Sequence, residues 1–198
     1  MNIKEYAINN NVPIIEDDSL EYIIKYIKDN NYLSILEIGT AIGYSSINIA
    51  LSNDNIHVTT IEKDINMYNL ALKNIKDNNL VNRIKVINGD ALDVEVKDKY
   101  DLIFIDAAKA QYTKFFNKYK FNLNNNGTII ADNLKFHGLV DDYKNITSKD
   151  LRELVGKIIR YIDFLKDNKE YNTKFIDIGD GISLSKKVEN NEDSSLSS

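Results

Sequence analysis

Two apolar runs in this chain end in residues that could do chemistry. In Tyr100–Tyr112, YDLIFIDAAKAQY, the run Leu102-Ile103-Phe104-Ile105 stops at Asp106, and Lys109 follows three residues on. Gly127-Thr-Ile-Ile-Ala-Asp132-Asn133 closes in the same way. Unbroken apolar runs of this length read as strands buried on both faces of a parallel sheet. Open α/β sheets bind their ligands just beyond the carboxyl ends of such strands. Two carboxylates and an amide oxygen brought to one rim suit Mg²⁺, Mn²⁺ or Ca²⁺, which prefer oxygen donors. A cation held there keeps positions open for two vicinal substrate oxygens and would acidify a hydroxyl among them. Asp106, Asp132 and Asn133 are therefore the candidate metal ligands, and Asp106 with Lys109 the candidate catalytic pair. Lys109 would take the proton or hold the oxyanion. An ordinary turn is the plain alternative for Asp132-Asn133; the pairing with Asp106 and Lys109 favours the metal.

A second set of residues suits a nucleoside. Leu33 to Ile38 reads as a buried strand that runs into Gly39-Thr-Ala-Ile-Gly43-Tyr44-Ser45. Its two glycines are not the G-x-G-x-x-G of dinucleotide sites, so a ligand without a pyrophosphate fits better. Glu62 closes the next strand, where a carboxylate can accept from both ribose hydroxyls. Asp90, followed by Ala91, closes the third and can accept from an adenine amino group. Adenosine across three strand ends, with a small zwitterion beyond the first glycine, describes S-adenosyl-L-methionine. Tyr44 and Tyr112 adjoin this site. His57 reads as a packed strand residue, and His137 as a loop residue with no assigned role.

The remaining elements must position these groups. Ser19 is a candidate N-cap for a helix carrying Leu20, Ile23, Ile24 and Ile27, and Asp64 for one carrying Tyr68, Ala71, Leu72 and Ile75. Thr147 with Asp150 has the spacing of a capping box and opens the clearest helical repeat, Leu151 to Leu165. About Asn172 to Ile178 and Gly181 to Ser185, around Gly179-Asp180-Gly181, read as an antiparallel hairpin. Strand and helix alternate throughout, which predicts an α/β, Rossmann-like fold with a mostly parallel sheet. Met1 to Asn11 carries no pattern. Residues 1–188 are expected to form a single domain, and 189–198, built of Asn, Glu, Asp, Ser and one Leu, a disordered tail.

Composition narrows the classes. The chain has 198 residues, no cysteine and a net charge of -5. Disulfides, thiolate metal sites and a thiol nucleophile are excluded, and a cytoplasmic address is expected. No apolar run is long enough to span a membrane, and the first residues do not resemble a signal peptide. Acidity argues against indiscriminate nucleic-acid binding but leaves room for a local basic face. Lys144, Lys149, Arg152, Lys157 and Arg160, on and before the Thr147 helix, are the candidates for such a face.

Taken together, LEIGTAIGYSS, TIEKD, INGDA, YDLIFIDAAKAQY, GTIIADN and IDIGDGISLSKK resemble the cation-dependent, catechol-type O-methyltransferases. Within them the chain is most similar to the bacterial tRNA 5-hydroxyuridine methyltransferases, over about Val12 to Lys187, with FIDAAKAQY and NVPII the most specific segments. The resemblance implies a seven-stranded methyltransferase sheet, a homodimer and tRNA, through its anticodon loop, as partner; it implies no other protein partner. It places Ile15, Ser45, Glu62, Asp90 and Asp106 around S-adenosylmethionine, Asp106, Asp132 and Asn133 around Mg²⁺, and Lys109 at the position of the family's candidate base. Related proteins carry a helical segment before the NVPII motif, where this chain has only Met1 to Asn11. A small-molecule catechol or phenylpropanoid O-methyltransferase is the alternative function. A non-catalytic binding protein and a nicotinamide dehydrogenase rank below it.

Overall fold

A computed structural model describes residues 3–188; the expected tail at 189–198 lies outside them. Seven strands form one sheet: β1 (Ser34–Ile38), β2 (His57–Glu62), β3 (Ile84–Asn88), β4 (Tyr100–Ile105), β5 (Leu123–Ala131), β6 (Tyr171–Ile176) and β7 (Ile182–Lys187). Their order is β3-β2-β1-β4-β5-β7-β6. All pairs from β3 to β5 are parallel, whereas β7 runs antiparallel to both β5 and β6. The order reverses between β1 and β4, so the two central strands open a crevice at their carboxyl ends.

Helices cover both faces. They are α1 (Ile3–Asn9), α2 (Asp17–Asp29), α3 (Tyr44–Leu51), α4 (Ile65–Asp77), α5 (Tyr112–Tyr119) and α6 (Lys149–Asp167). Alternate strand residues feed two separate cores. Ile35, Leu102, Phe104 and Ile130 pack with Ile23 and Ile27 of α2 and Ile47 of α3. Leu36, Ile38, Ile103, Ile105 and Ile129 face the other way, onto Phe116 and Tyr119 of α5 and Tyr161 and Leu165 of α6. That period of two, with both faces apolar, is why the central strands lack polar alternation. Phe116 sits edge-on to Tyr171 and Tyr161, fixing α5 against α6 and β6.

Several boundaries differ from expectation. α2 begins at Asp17 after Glu16, not at Ser19. Asp17 and Asp18 in its first turn complement the positive end of the helix, and Ser19 is buried instead. α6 is capped by Ser148, whose hydroxyl accepts from the Leu151 amide at 3.4 Å, rather than by Thr147. Its apolar stripe was legible; the choice between adjacent hydroxyl residues was not. Ile3–Asn9, which carried no readable pattern, is helical, buries Ala7 and ties back through Val12 N–H to Ala7 C=O at 2.9 Å. Lys4 forms an ion pair with Asp17, joining α1 to α2. His57 opens β2 but is exposed, with Nδ1 3.2 Å from the Asn55 carbonyl.

The turn after β1 depends on one glycine. Gly39 has φ +103°, and a Cβ there would lie 2.2 Å from the Asp106 carbonyl oxygen. Replacing Gly39 with alanine therefore adds left-handed strain and a backbone clash, for an expected loss of about 2–4 kcal/mol in urea unfolding. Unchanged stability would mean that β1 and β4 do not approach so closely.

Candidate active site at the strand ends

The carboxyl ends of β1, β2, β3, β4 and β5 border one cavity of about 790 Å³. That volume lies in the range of pockets that enclose small organic ligands. Its wall includes Pro13, Ile14 and Ile15, Gly39 to Ala41, Tyr44 and Ser45, Glu62 to Ile65, Gly89 to Ala91, Asp106 to Lys109, Gln111, Phe115 and Asn133. Ile15, Gly39, Tyr44, Ser45, Glu62, Asp90, Ala91, Asp106, Lys109 and Asn133 are thus brought together as the sequence predicts. Gly43 is not among the wall residues; it takes φ +83° at the start of α3. Asp132 does not line the cavity. It lies beneath, 1% exposed, and accepts from Ser19 Oγ at 3.3 Å and from Asn133 Nδ2 at 2.8 Å.

Several residues placed around a cofactor spend part of their bonding on the wall itself. Glu62 Oε2 accepts from the Ala41 amide at 2.8 Å and Oε1 from the Asp64 amide at 2.7 Å. Glu62 thereby ties the glycine turn to the start of α4, and each oxygen keeps a second lone pair for a ligand. Asp90 Oδ1 accepts from the Leu92 amide at 2.9 Å, and Oδ2 pairs with Lys63 at 2.8 Å. The Tyr44 hydroxyl donates to Asp17 at 3.3 Å. Ser45 donates to Glu37.

Glu37 itself was not singled out from the sequence. It is fully buried in β1 and accepts from the hydroxyls of Ser45, Ser46 and Thr60. A carboxyl inside an otherwise apolar run, with hydroxyl residues eight and nine positions on, was the available signal. Burial pushes its pKa up; the three hydroxyls pull against this and Glu62 adds to it.

The same conflict extends to the neighbouring strands. Burial, with Glu37 adding repulsion, raises Asp106 to about 6 despite the opposing Lys109. Burial and the charge of Asp106 raise Asp132 to about 7, against hydrogen bonds from Asn133 and Ser19. Lys109, in the short turn Lys109–Gln111, holds its ammonium 5.5 Å from the centre of the Phe136 ring. Asn133, Phe136 and His137 all take left-handed backbone conformations, with φ of 64°, 46° and 55°. The His137 amide is anchored to the buried Asp180, at 2.6 Å. Neither the strained loop nor its anchor was visible in the sequence.

Among the described residues, no group of three or more His, Cys, Asp or Glu side chains is arranged to hold a metal. The candidate trio is different in kind: two carboxylates and one amide. Its chemistry fits a hard divalent cation: two carboxyls and an amide supply oxygen donors, and both carboxyls are buried and repel one another with Lys109 as the cation opposing them.

The basic candidates on α6 are partly committed elsewhere. Arg152 donates to the Ile146 carbonyl through Nε at 3.0 Å and also through Nη2, and Lys157 pairs with Glu153 at 2.8 Å. Lys144 lies in the turn Tyr143–Asn145, beside α6.

Comparison with known proteins decides the family. The family model described as O-methyltransferase matches residues 2–188. The chain belongs to the O-methyltransferase family. A solved structure from Staphylococcus aureus, provisionally named a caffeoyl-CoA O-methyltransferase, is 43% identical with a TM-score of 0.90, covering 94% of this chain and 90% of that one. An O-methyltransferase of Bacillus cereus, solved with S-adenosylhomocysteine, is 27% identical with a TM-score of 0.79 over 92% and 88% of the two chains. A protein of Arabidopsis thaliana, also provisionally named a caffeoyl-CoA O-methyltransferase, is 30% identical over 183 residues, 89% of this chain and 78% of its own. The α/β sheet with its C-terminal hairpin is that of the class I methyltransferases. No helix among the described residues is long and apolar enough to cross a membrane.

The buried carboxyl of β1 gives a pH-dependent prediction. A carboxyl whose folded pKa is raised contributes most stability below its unfolded pKa and loses it as pH rises through the folded value. Glu37→Gln removes that loss. Its unfolding midpoint should gain on the wild type as pH rises from about 4 to about 8, above the ordinary carboxylate range. A difference that stays constant with pH would contradict the buried, strained carboxyl.

Proposed function

We propose that this O-methyltransferase transfers a methyl group from S-adenosylmethionine to the 5-hydroxyl of 5-hydroxyuridine at the tRNA wobble position, giving 5-methoxyuridine, with Mg²⁺ at the strand ends. The observation that carries the reading is the cavity that Asp106, Lys109 and Asn133 share with Glu62 and Asp90, with Asp132 directly behind.

Glu62 and Asp90 retain lone pairs toward the cavity for a ribose and an adenine. Asp106, Asp132 and Asn133 would hold the metal, with Mn²⁺ or Ca²⁺ as chemically allowed substitutes. When bound, S-adenosylmethionine supplies an electrophilic methyl and Mg²⁺ lowers the pKa of a hydroxyl chelated beside a second oxygen. The protein's own part is positioning and proton management. Lys109, partly buried, stands where it can accept the hydroxyl proton or hold the resulting oxyanion. Pro13, Ile14 and Ile15 form an apolar wall that limits water around the reacting oxygen.

The choice of substrate rests on the chelation requirement together with the resemblance. The C5 hydroxyl and C4 carbonyl of 5-hydroxyuracil are vicinal oxygens, and a base in an anticodon loop is readily unstacked into a pocket. FIDAAKAQY and NVPII, the segments most like the tRNA enzymes, border this cavity. Lys144, Lys149 and Arg160 are the basic side chains left for phosphates on the α6 side. A small catechol or phenylpropanoid offers the same vicinal pair, and the caffeoyl-CoA names of the relatives favour that second reading.

Nucleoside mass spectrometry of tRNA from cells with and without the protein separates the two. Loss of 5-methoxyuridine with accumulation of 5-hydroxyuridine supports the tRNA substrate; an unchanged profile, with free catechols turned over in vitro, reverses the order. In methyl-transfer assays, Asp106→Ala should lose at least about a hundredfold in rate through loss of the metal, and Lys109→Ala about 10²–10⁴-fold. Full activity in Asp106→Ala would remove the metal mechanism.

A further inference from the structure

Ser19 lies in the first turn of α2 and is fully buried. A serine inside a helix can turn its hydroxyl back to the carbonyl four residues earlier. Ser19 donates across the fold instead, to Asp132 Oδ1 at 3.3 Å, 113 residues along the chain. The turn before β7 leaves room for that hydroxyl only because it carries glycine. A Cβ at Gly179, which has φ +52°, would lie 2.3 Å from Ser19 Oγ. Helix α2, the end of β5 and the hairpin turn thus converge on one hydroxyl.

The residue it holds is a candidate metal ligand that lies beneath the cavity wall, so its use depends on how its carboxylate is turned. The Asp132 backbone carbonyl accepts from the Tyr112 hydroxyl at 3.0 Å, and Oδ2 accepts from Asn133 Nδ2 at 2.8 Å. Asn133 is the next residue in the chain, whereas Ser19 reaches Oδ1 from a different element. Carboxylates that bind metals are commonly oriented by such outer hydrogen bonds. Helix α2 is a firm base for this one: Asp17, two residues before Ser19, accepts from the Tyr44 hydroxyl at 3.3 Å and pairs with Lys4.

We propose that Ser19 is a positioning residue for the divalent cation, its hydroxyl fixing the Asp132 carboxylate in the orientation that receives the ion together with Asp106 and Asn133. The inference rests on the Mg²⁺ reading of the strand ends and adds to it a residue from outside them. Ser19 acts through Asp132 and has no contact of its own with substrate or ion. Its loss therefore weakens metal binding and leaves the cofactor's affinity as it was.

Mg²⁺ titrated calorimetrically into protein saturated with S-adenosylhomocysteine tests it. Ser19→Ala, and Ser19→Cys, which keeps a side chain of similar size with only a weak donor, should each bind Mg²⁺ about tenfold more weakly than the wild type. Both should bind S-adenosylhomocysteine as the wild type does. Thermal unfolding supplies a readout that a merely structural role would not move: Mg²⁺ should raise the Tm of the variants only at about tenfold higher concentration. Ser19→Cys carries the test if the alanine variant fails to fold. Wild-type affinity for Mg²⁺ in a folded variant, or a Tm lowered equally with and without the ion, overturns the role of Ser19 and leaves the metal reading standing. A folded wild type that binds no Mg²⁺ overturns that reading, and this inference with it.

Discussion

Negative charge gathered at the carboxyl ends of parallel strands is the constraint on which the site depends. Glu37 in β1, Asp106 after β4 and Asp132 after β5 occupy adjacent strands, and each has its charged form opposed by burial. Glu37 is stabilised by three hydroxyls. Asp132 has one serine and one asparagine. Asp106 has Lys109. The imbalance is largest where β4 and β5 end, which is also where the cavity opens. A pocket built this way attracts cationic groups, and the S-adenosyl donor and Mg²⁺ are both cations.

The surrounding fold holds these carboxyls in place. Gly39 lets the turn after β1 pass against the backbone at Asp106, and Glu62 ties that turn to the start of α4. Tyr112, fully buried, donates to the Asp132 carbonyl at 3.0 Å and packs edge-on against Tyr161. The helix after the Lys109 turn thereby fixes the backbone at Asp132. The C-terminal hairpin contributes Asp180, which holds the loop carrying Phe136 under the Lys109 ammonium. Elements far apart in sequence meet at the site because β7 inserts beside β5.

Much of this was legible in the sequence, for identifiable reasons. Buried parallel strands declare themselves as short apolar runs, and the residues just past the end of each run face the crevice; that logic located Glu62, Asp90, Asp106, Lys109 and Asn133. It failed where function depends on tertiary partners. Ser19 has the residue type of a helix cap, yet it donates to a carboxylate 113 positions away. Asp132 follows the expected strand end but is buried, its carboxylate accepting from Ser19 and Asn133. Asp180 carried no local signature; only the hairpin turn gives it a place. Arg152 and Lys157 look like part of a basic face in one dimension and are largely spent on neighbours in three.

If the strand-end carboxyls exist to collect a divalent ion beside the methyl donor, the ion itself should report it. Mg²⁺ titrated calorimetrically into the protein saturated with S-adenosylhomocysteine should bind one ion per chain. Asp132→Asn, which keeps the shape of the buried side chain but removes its charge, should weaken that binding at least about tenfold, as loss of a charged oxygen ligand requires. Equal affinity in the two proteins, or no Mg²⁺ binding by the folded wild type, would contradict a carboxylate-held metal at the strand ends.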